Sequence, residues 1–201
     1  MASEAKPKLY YFDGPGKAEV TRLILVAAGK EFEDIRFSSF EEWTTKYKAD
    51  SPLGLAPYYE EGGVKIGGSL CIARLVAEAN GLGGSNCIEN ALLSSYADLI
   101  SDMISKLYPF KFGPEDKKEE AKKECLKNMP AKFAQLEKSI KDDGTFLGKP
   151  SWPDFLLSQL CQETIQYQLG DTFKDCPKIG KVTARVDSNP KIQEFRAKHK
   201  K

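Results

Sequence analysis

The stretch from Pro52 to Arg74, PLGLAPYYEEGGVKIGGSLCIAR, changes its hydrophobic period halfway, and this change constrains the fold more than any other feature. Tyr58 to Glu60 and Val64 to Ile66 are short β-prone runs, and the Gly62-Gly63 pair between them suits a two-residue hairpin turn. After Gly67-Gly68-Ser69 the apolar residues follow helical spacing instead. The stretch therefore predicts a β-hairpin followed directly by a helix.

Ser69 is the predicted N-cap of this helix, because one apolar face follows it: Ile72, Leu75, Val76 and Ala79. The first backbone N–H groups of a helix lack intrahelical acceptors, and the helix dipole favours negative charge there. Glycines in front let a ligand approach the backbone, so the helix start is a candidate site for a carboxylate or phosphate. A plain capped helix after a hairpin fits the same residues.

The residues before the hairpin predict two strands joined through a helix. Lys8 to Phe12 is aromatic and β-prone, and Phe32 to Phe37 alternates apolar and polar residues. Between them Val20, Leu23, Ile24 and Ala27 share a helical face, and Gly29 suits a helix C-cap. Ser38 to Asp50 is predicted to be polar and irregular apart from Trp43. The first half therefore reads β-α-β-β-β-α.

The glycine-rich sequence NGLGGSN, Asn80 to Asn86, predicts a boundary, since no β-prone run of similar quality follows it. We predict one domain over residues 1–80, a linker over 81–87 and an α-helical domain over 88–201. Ser151 and Asp154 form an S-x-x-D capping box in this second half. A long helix there shows an apolar stripe of Leu92, Tyr96, Leu99, Met103 and Leu107, broadened by Leu93, Ile100 and Ile104. The predicted class is α/β followed by all-α.

Composition sets outer limits on function. The chain has 201 residues, of which 41% are hydrophobic, and a formal charge of +1, which gives no electrostatic reason to expect nucleic acid or an anionic membrane as partner. Its five cysteines are scattered and its single histidine is His199, so no metal site is predicted. The first residues lack the apolar core of a signal peptide, and no run is long enough to span a membrane. We expect a cytoplasmic protein.

Five local motifs carry a resemblance to a known family: KLYYFDGPGKAEVTRLIL, EEW, PLGLAP, GGSLCIARLVAE and SWPDF. Together they resemble the cytosolic glutathione S-transferases, most closely the sigma class, which includes prostaglandin D synthases and lens S-crystallins. The similarity covers nearly the whole chain. It implies a thioredoxin-like domain followed by an α-helical domain, glutathione as co-substrate, no metal, and a homodimer.

Tyr11 matches the catalytic tyrosine of that family, whose hydroxyl donates a hydrogen bond to the glutathione sulfur. Such a donor stabilises the thiolate and lowers the pKa of a thiol from its ordinary value of about 8.5. Tyr10 is the rival, but neighbours in a strand point to opposite faces, so only one of the two can face the sulfur. We predict Tyr11.

The resemblance implies further contacts to glutathione. Pro57 matches a cis-proline, after a residue, here Ala56, whose backbone pairs with the cysteinyl part of the tripeptide. Ser69 matches the receiver of the γ-glutamyl carboxylate, which agrees with the anion site at the helix start. Trp43 and either Lys46 or Lys48 match groups at the glycine end. Asp102 matches an acid that reaches the γ-glutamyl ammonium of the neighbouring subunit. The implied glutathione-binding set is Tyr11, Lys17, Trp43, Lys46, Leu55, Ala56, Pro57, Gly68, Ser69 and Asp102.

Several positions depart from the family pattern. Leu55 stands where relatives usually carry glutamine or lysine, and Gly68 stands where they usually carry glutamine. Lys17 replaces the usual arginine after the catalytic tyrosine. Each lost hydrogen bond to a charged ligand costs about 1.5 to 3 kcal/mol, so glutathione binding is expected to be weak unless backbone or water substitutes.

The second substrate is expected to be a small hydrophobic electrophile, attacked by the thiolate at carbon or at a peroxide oxygen. The resemblance also allows prostaglandin isomerisation. The expected lining, which ordinary packing would explain equally well, is Phe12, Gly14, Met103, Tyr108 and Phe110. A redox enzyme of the glutaredoxin type is disfavoured, because no cysteine precedes Cys71. The stronger alternative is a low-activity or non-enzymatic relative, a crystallin or a ligand carrier with a weakened glutathione site.

Overall fold

The computed structural model describes residues 5–199; residues 1–4 and 200–201, at the outer ends of the two predicted domains, lie outside the described part. Its contacts divide the chain into two compact units. One contains the described residues up to Gly81 together with those from Glu194 onward, and the other is Leu82–Gln193. The domain limits 1–80, 81–87 and 88–201 stay predictions.

The first unit contains a four-stranded mixed sheet. Its strands are β1 (Lys8–Phe12), β2 (Glu33–Phe37), β3 (Tyr58–Glu61) and β4 (Val64–Gly67). They lie in the order β2-β1-β3-β4, with β1 parallel to β2 and antiparallel to β3, and β3 antiparallel to β4. The helices around them are α1 (Glu19–Ala28) and α3 (Ser69–Ala79). The predicted thioredoxin-like order β-α-β-β-β-α is confirmed.

Glycines set the chain reversals where the sequence predicted them. Gly29 ends α1 in the left-handed conformation at φ 67°, and its N–H reaches back to the carbonyl of Leu25. Gly62 and Gly63, at φ 59° and 80°, make the hairpin turn between β3 and β4.

Two local predictions in this unit are wrong. Ser69 is the first residue of α3 rather than its cap; Gly68, at φ 96°, takes the cap position, because glycine tolerates that backbone conformation without a side chain to place. Ser38 to Asp50 is helical over much of its length: α2 (Phe40–Glu42) continues into a π-helical turn, Trp43–Tyr47. Its N-terminal signal is Ser39, whose Oγ accepts a hydrogen bond from the Glu42 N–H at 3.0 Å.

The second unit is helical among its described residues. Its helices are α4 (Cys87–Ser105), α5 (Tyr108–Phe112), α6 (Glu115–Ser139), α7 (Trp152–Gln166) and α8 (Pro177–Asp187), and α9 (Pro190–Lys198) begins in it. Helix α7 packs against α4 and α8 and is buried without a break from Trp152 to Cys161. The predicted capping box opens it, with Asp154 accepting a hydrogen bond from the Ser151 N–H at 3.2 Å. The predicted all-helical half is confirmed.

The buried face of α4 is rotated from the predicted stripe. Leu93, Ala97, Ile100 and Met103 are fully buried, whereas Leu92, which we placed in the main stripe, is 40% exposed. Both sets have helical spacing, so periodicity alone could not select the face that packs.

Candidate functional site

The two tyrosines of β1 lie on opposite faces of the sheet. Tyr10 stacks on Tyr58 with ring centroids 4.2 Å apart, and its hydroxyl donates to Glu60 Oε2 at 3.1 Å. Tyr10 therefore belongs to the aromatic cluster under the sheet, which also includes Phe37 and Trp43. Tyr11 lies on the other face, half-buried, where it meets the turn after β1.

The Tyr11 hydroxyl is held by that turn. The backbone N–H of Lys17 donates to Tyr11 Oη at 3.1 Å. A hydroxyl that accepts a hydrogen bond through its oxygen becomes a stronger donor through its hydrogen, because chained hydrogen bonds polarise one another. The Lys17 side chain itself is exposed. The arrangement suits Tyr11 for donating to an anion.

Because Gly16 has no side chain, the Tyr11 hydroxyl can occupy the space beside it. It has φ +44°, and a Cβ built on it would lie 2.7 Å from Tyr11 Oη. Any side chain at this position would thus meet both an unfavourable backbone conformation and the hydroxyl. The sequence analysis did not identify Gly16, although glycine between the Pro15 and Lys17 positions is a turn signal.

Arg22 on α1 places a buried positive charge in the same region as Tyr11. Its side chain is fully buried; Nε donates to Asp34 Oδ1 at 3.1 Å and Nη1 lies 3.7 Å from Glu19 Oε2. Burial raises the pKa of Glu19, an effect that Arg22 opposes. Arg36 on β2 braces the other side of Asp34, with Nε donating to Oδ2 at 2.7 Å. Sequence reasoning missed Arg22; the Glu19 and Arg22 pair at spacing i, i+3 was the available signal.

The loop before β3 contains the predicted cis-proline. The Ala56–Pro57 bond is cis, as the resemblance implied. The turn in front of it is tied by Ser51, whose Oγ donates to the Leu55 carbonyl at 2.7 Å and accepts from the Leu55 N–H at 3.2 Å. The Leu55 side chain is 62% exposed.

The start of α3 has the character expected of an anion site. Gly68 is its cap and contributes no side-chain hydrogen bond, and the helix has 11 residues, so its dipole is substantial. The first-turn N–H groups belong to Ser69, Leu70 and Cys71, of which the Cys71 side chain is exposed. The geometry fits a carboxylate, while the assignment of Ser69 to glutathione stays a prediction.

The residues predicted for the glycine end of glutathione lie on the π-helical turn. Trp43 is only 4% exposed and stacks on Phe37 at 5.2 Å, so most of its indole serves the core. Lys46 is exposed and pairs with Glu42 Oε1 at 3.3 Å. Lys48 ends the turn with its N–H on the Trp43 carbonyl. The choice between Lys46 and Lys48 stays open.

The residues predicted for the second substrate fall in both units. In the first, Phe12 packs edge-on against Phe37 with ring centroids 5.0 Å apart. No atom lies within 4 Å of the position that a Cβ at Gly14 would take. In the second, Met103 on α4 is fully buried beside an exposed Asp102. Tyr108 and Phe110 on α5 are partly buried.

Helix α5 is anchored by contacts to α7. Phe110 stacks on Tyr167 with centroids 5.1 Å apart, and Lys111 Nζ lies 2.8 Å from Glu163 Oε1. Both partners of this ion pair are largely buried, and Gln159 Nε2 also donates to Glu163 at 3.0 Å. Burial raises the pKa of Tyr108.

Across residues 5–199, no cluster of three or more histidine, cysteine, aspartate or glutamate side chains has the arrangement of a metal site. In the same residues, no helix is long and apolar enough to cross a membrane.

Comparison with known proteins gives the same family for both units. Residues 7–78 match the glutathione S-transferase N-terminal domain, and residues 101–199 match the glutathione S-transferase C-terminal domain. The chain is 33% identical over 196 residues to hematopoietic prostaglandin D synthase of Gallus gallus, covering 96% of each chain.

Solved structures are similar over the same length. The monomeric glutathione S-transferase Na-GST-3 of the hookworm Necator americanus superposes with a TM-score of 0.86 at 32% identity, covering 98% of each chain. A sigma-class glutathione S-transferase of Fasciola hepatica superposes with a TM-score of 0.85 at 25% identity, covering 98% of this chain and 97% of that one.

Proposed function

We propose that this chain, which belongs to the cytosolic glutathione S-transferase family and is most like its sigma class, conjugates the thiolate of glutathione to small hydrophobic electrophiles. Glutathione is the co-substrate of the family. In the proposed reaction the sulfur lone pair forms a bond to an electrophilic carbon. The electrons of the broken bond leave with the departing group, and the thiol proton passes to solvent.

One observation supports this reaction above the others, namely the hydrogen bond from the Lys17 N–H to Tyr11 Oη at 3.1 Å. It fixes the hydroxyl at the end of β1 and strengthens it as a donor. In our proposal Tyr11 donates to the glutathione sulfur and lowers the pKa of the thiol, so that more thiolate exists at neutral pH.

We assign the tripeptide to the surrounding backbone elements. Ala56, before cis-Pro57, would pair with the cysteinyl part, and the start of α3 with Ser69 would receive the γ-glutamyl carboxylate. Trp43 and Lys46 or Lys48 would hold the glycine end, and Lys17 would add positive charge. Leu55 and Gly68 would contribute backbone contact only. The side-chain hydrogen bonds of relatives would therefore be missing at two positions.

We assign the electrophile to apolar and aromatic side chains. Its proposed contacts are Phe12, Gly14, Tyr108 and Phe110, whereas Met103, which was also predicted, is fully buried on α4 and offers no surface to a ligand. Pockets of this composition bind hydrophobic small molecules with few polar contacts. The similarity to a prostaglandin D synthase adds prostaglandin isomerisation as a second activity to assay. Peroxide reduction, in which the same thiolate would attack a peroxide oxygen, is a third.

The decisive experiment is a calorimetric titration of the protein with glutathione, followed by a conjugation assay with an aryl halide. Tyr11→Phe is expected to bind glutathione but to lose most turnover. Tyr10→Phe is the matched control, because its hydroxyl bonds Glu60 on the opposite face, and it is expected to keep full activity. Absence of binding up to about ten millimolar glutathione would refute the proposal and favour a structural or carrier protein.

We further propose a cytoplasmic homodimer in which Asp102 reaches the glutathione site of the neighbouring subunit. Asp102 is exposed on α4, as such a role requires. One structural neighbour is itself described as monomeric, so the state must be measured. Sedimentation equilibrium should give twice the chain mass, and Asp102→Asn should weaken glutathione binding; a monomer with unchanged binding in the variant would contradict this assignment.

A further inference from the structure

We infer that Arg22 is a positioning residue that holds Tyr11 in its reactive place, an inference that rests on the proposed function. Arg22 does so through the backbone that follows Tyr11. The guanidinium is fully buried, and the backbone oxygens that it contacts belong to the segment of residues 12–15.

The planar fork of Arg22 spans this segment. Nη1 donates to the carbonyls of Gly14 and, at 3.3 Å, Pro15; Nη2 donates to the carbonyl of Phe12 at 3.4 Å. Arginine suits this role because its donors lie in one rigid plane, whereas lysine offers a single point charge. Directly after the clamped segment comes Gly16–Ala18, the turn whose Lys17 N–H holds Tyr11 Oη. The clamped segment is thus connected to the Tyr11 hydroxyl through the backbone from Pro15 to Lys17 and the hydrogen bond from the Lys17 N–H.

Two carboxylates pair with the positive charge of Arg22 and help to hold its side chain in place. A buried guanidinium must be paired, and Asp34 at 3.1 Å and Glu19 at 3.7 Å supply the negative charge. Arg36 fixes Asp34 from its other side. The Arg22 Cζ lies 5.9 Å from the centroid of the Tyr11 ring, within the range of a cation–π contact. Arg22 therefore contacts Tyr11 directly at its ring, and it acts on Tyr11 indirectly through the carbonyls of residues 12, 14 and 15.

If Arg22 positions Tyr11, its loss should change the thiol pKa of bound glutathione and kcat. A residue that only stabilises the fold would have no such effect. The proposed anchors of the tripeptide, Ala56 and the start of α3, lie outside the clamped segment, so loosening the clamp should leave glutathione affinity nearly unchanged. A displaced Tyr11 hydroxyl would bond the sulfur less well, so the thiol pKa of bound glutathione should rise and kcat should fall. A misplacement of about 1 Å can cost about a hundredfold in rate.

The test is Arg22→Lys, which keeps the charge and removes the fork. The thiol pKa of bound glutathione is read from the ultraviolet absorbance of the thiolate against pH, beside kcat and KM. We expect the pKa to rise toward that of Tyr11→Phe, kcat to fall about ten- to a hundredfold, and KM for glutathione to stay close to the wild-type value.

Arg185→Lys is the matched control. Arg185 also holds a backbone carbonyl, that of Gly144, and a carboxylate, Asp154 at 3.0 Å, but in the second unit. This variant should lower the melting temperature without moving the thiol pKa. If Arg22→Lys behaves in the same way, Arg22 only stabilises the fold and the inference is wrong.

Two further results complete the test. Should Arg22→Lys fail to fold, Asp34→Asn replaces it, since it keeps the guanidinium and removes its counterion charge. The thiol pKa should then rise by a smaller amount, and an unchanged pKa would overturn the inference.

A wild-type protein without bound thiolate would overturn the proposed function together with the inference. If the wild-type protein does bind the thiolate and neither variant changes its pKa, the positioning role alone is overturned.

Discussion

Gly16 and Tyr11 share one small volume: a Cβ on the glycine would lie 2.7 Å from the tyrosine hydroxyl oxygen. Real Cβ atoms do not approach an oxygen so closely, so the hydroxyl keeps its place only because residue 16 lacks a side chain. The position of the proposed donor is therefore set from two directions, by the Lys17 N–H and by the absence of an atom at Gly16.

Gly16→Ala should consequently lower kcat for conjugation by about tenfold or more, because the hydroxyl must shift. The positive φ of residue 16 should also cost about 1 kcal/mol of unfolding free energy. Gly180→Ala is the control, since Gly180 on α8 has open space where the Cβ would lie. Steady-state kinetics and urea unfolding measure both effects; an unchanged kcat in Gly16→Ala would show that the hydroxyl position is not critical.

Leu55→Gln should restore a hydrogen bond to glutathione and tighten binding about tenfold. The Leu55 side chain is 62% exposed, so the change should leave the unfolding free energy nearly unaltered. Leu53 is also 62% exposed, which makes Leu53→Gln a control of the same chemistry two residues away. Calorimetry with glutathione decides the matter, and equal affinities for the two variants would speak against the assigned role of position 55.

The pH dependence of stability should carry a contribution from Asp154. Burial raises the pKa of this carboxyl from 3.8 to about 6, against the opposing effects of the Ser151 N–H and Arg185. The folded state thus holds the proton more tightly than the unfolded state. The resulting stabilisation is fully present below about pH 4 and is lost as the pH rises through about 6, by about 3 kcal/mol in total.

Urea unfolding of wild type and Asp154→Asn between about pH 4 and pH 7 isolates this contribution. The difference in unfolding free energy, wild type minus variant, should decrease as the pH rises. Asp142→Asn is the control with the opposite sign, because a hydrogen bond from Lys178 lowers the pKa of the exposed Asp142. The stabilisation by Asp142 is present above about pH 4 and is lost only as the pH falls below it, so between about pH 4 and pH 7 the difference between wild type and Asp142→Asn should stay nearly constant. A pH-independent difference for Asp154→Asn would contradict the buried-carboxyl account.

Lys111→Met should destabilise the helical unit by about 3 to 5 kcal/mol, because it leaves the carboxylate of Glu163 buried without its counterion. The Lys111 side chain is 16% exposed and that of Glu163 is 7% exposed. The double variant Lys111→Met, Glu163→Leu should recover most of the loss, since no unpaired charge remains. Unfolding free energies of the two variants test this, and equal losses would show that the ion pair itself is not the cause.

The sequence predicted elements whose signals are local. The Gly62-Gly63 hairpin, the Gly29 cap and the Ser151 capping box each depend on residues within a few positions, and the structure confirms them. The helical character of residues 40–47 was not predicted because this polar segment buries only Trp43 and has no apolar stripe, although Ser39 and Glu42 match a capping pattern.

The remaining features depend on contacts that are distant along the chain. Arg22 reads from the sequence as an ordinary helix arginine, and only the fold brings it against Asp34 and the carbonyls after β1. The buried face of α4 was likewise decided by α7, more than 40 residues later by sequence position. The roles of the site residues themselves stay predictions, since glutathione contacts depend on the ligand.

Helix α7 has no solvent-facing side over its first ten residues, which are buried without a break from Trp152 to Cys161. Few substitutions should therefore be tolerated at these positions, because a charged side chain at nearly any of them would be buried in the interior. Its amides should also be the slowest in the helical unit to exchange with deuterium, since they open only when the helices around them separate. Within the helical unit, sequence changes should accordingly be tolerated more readily on the helices that surround α7.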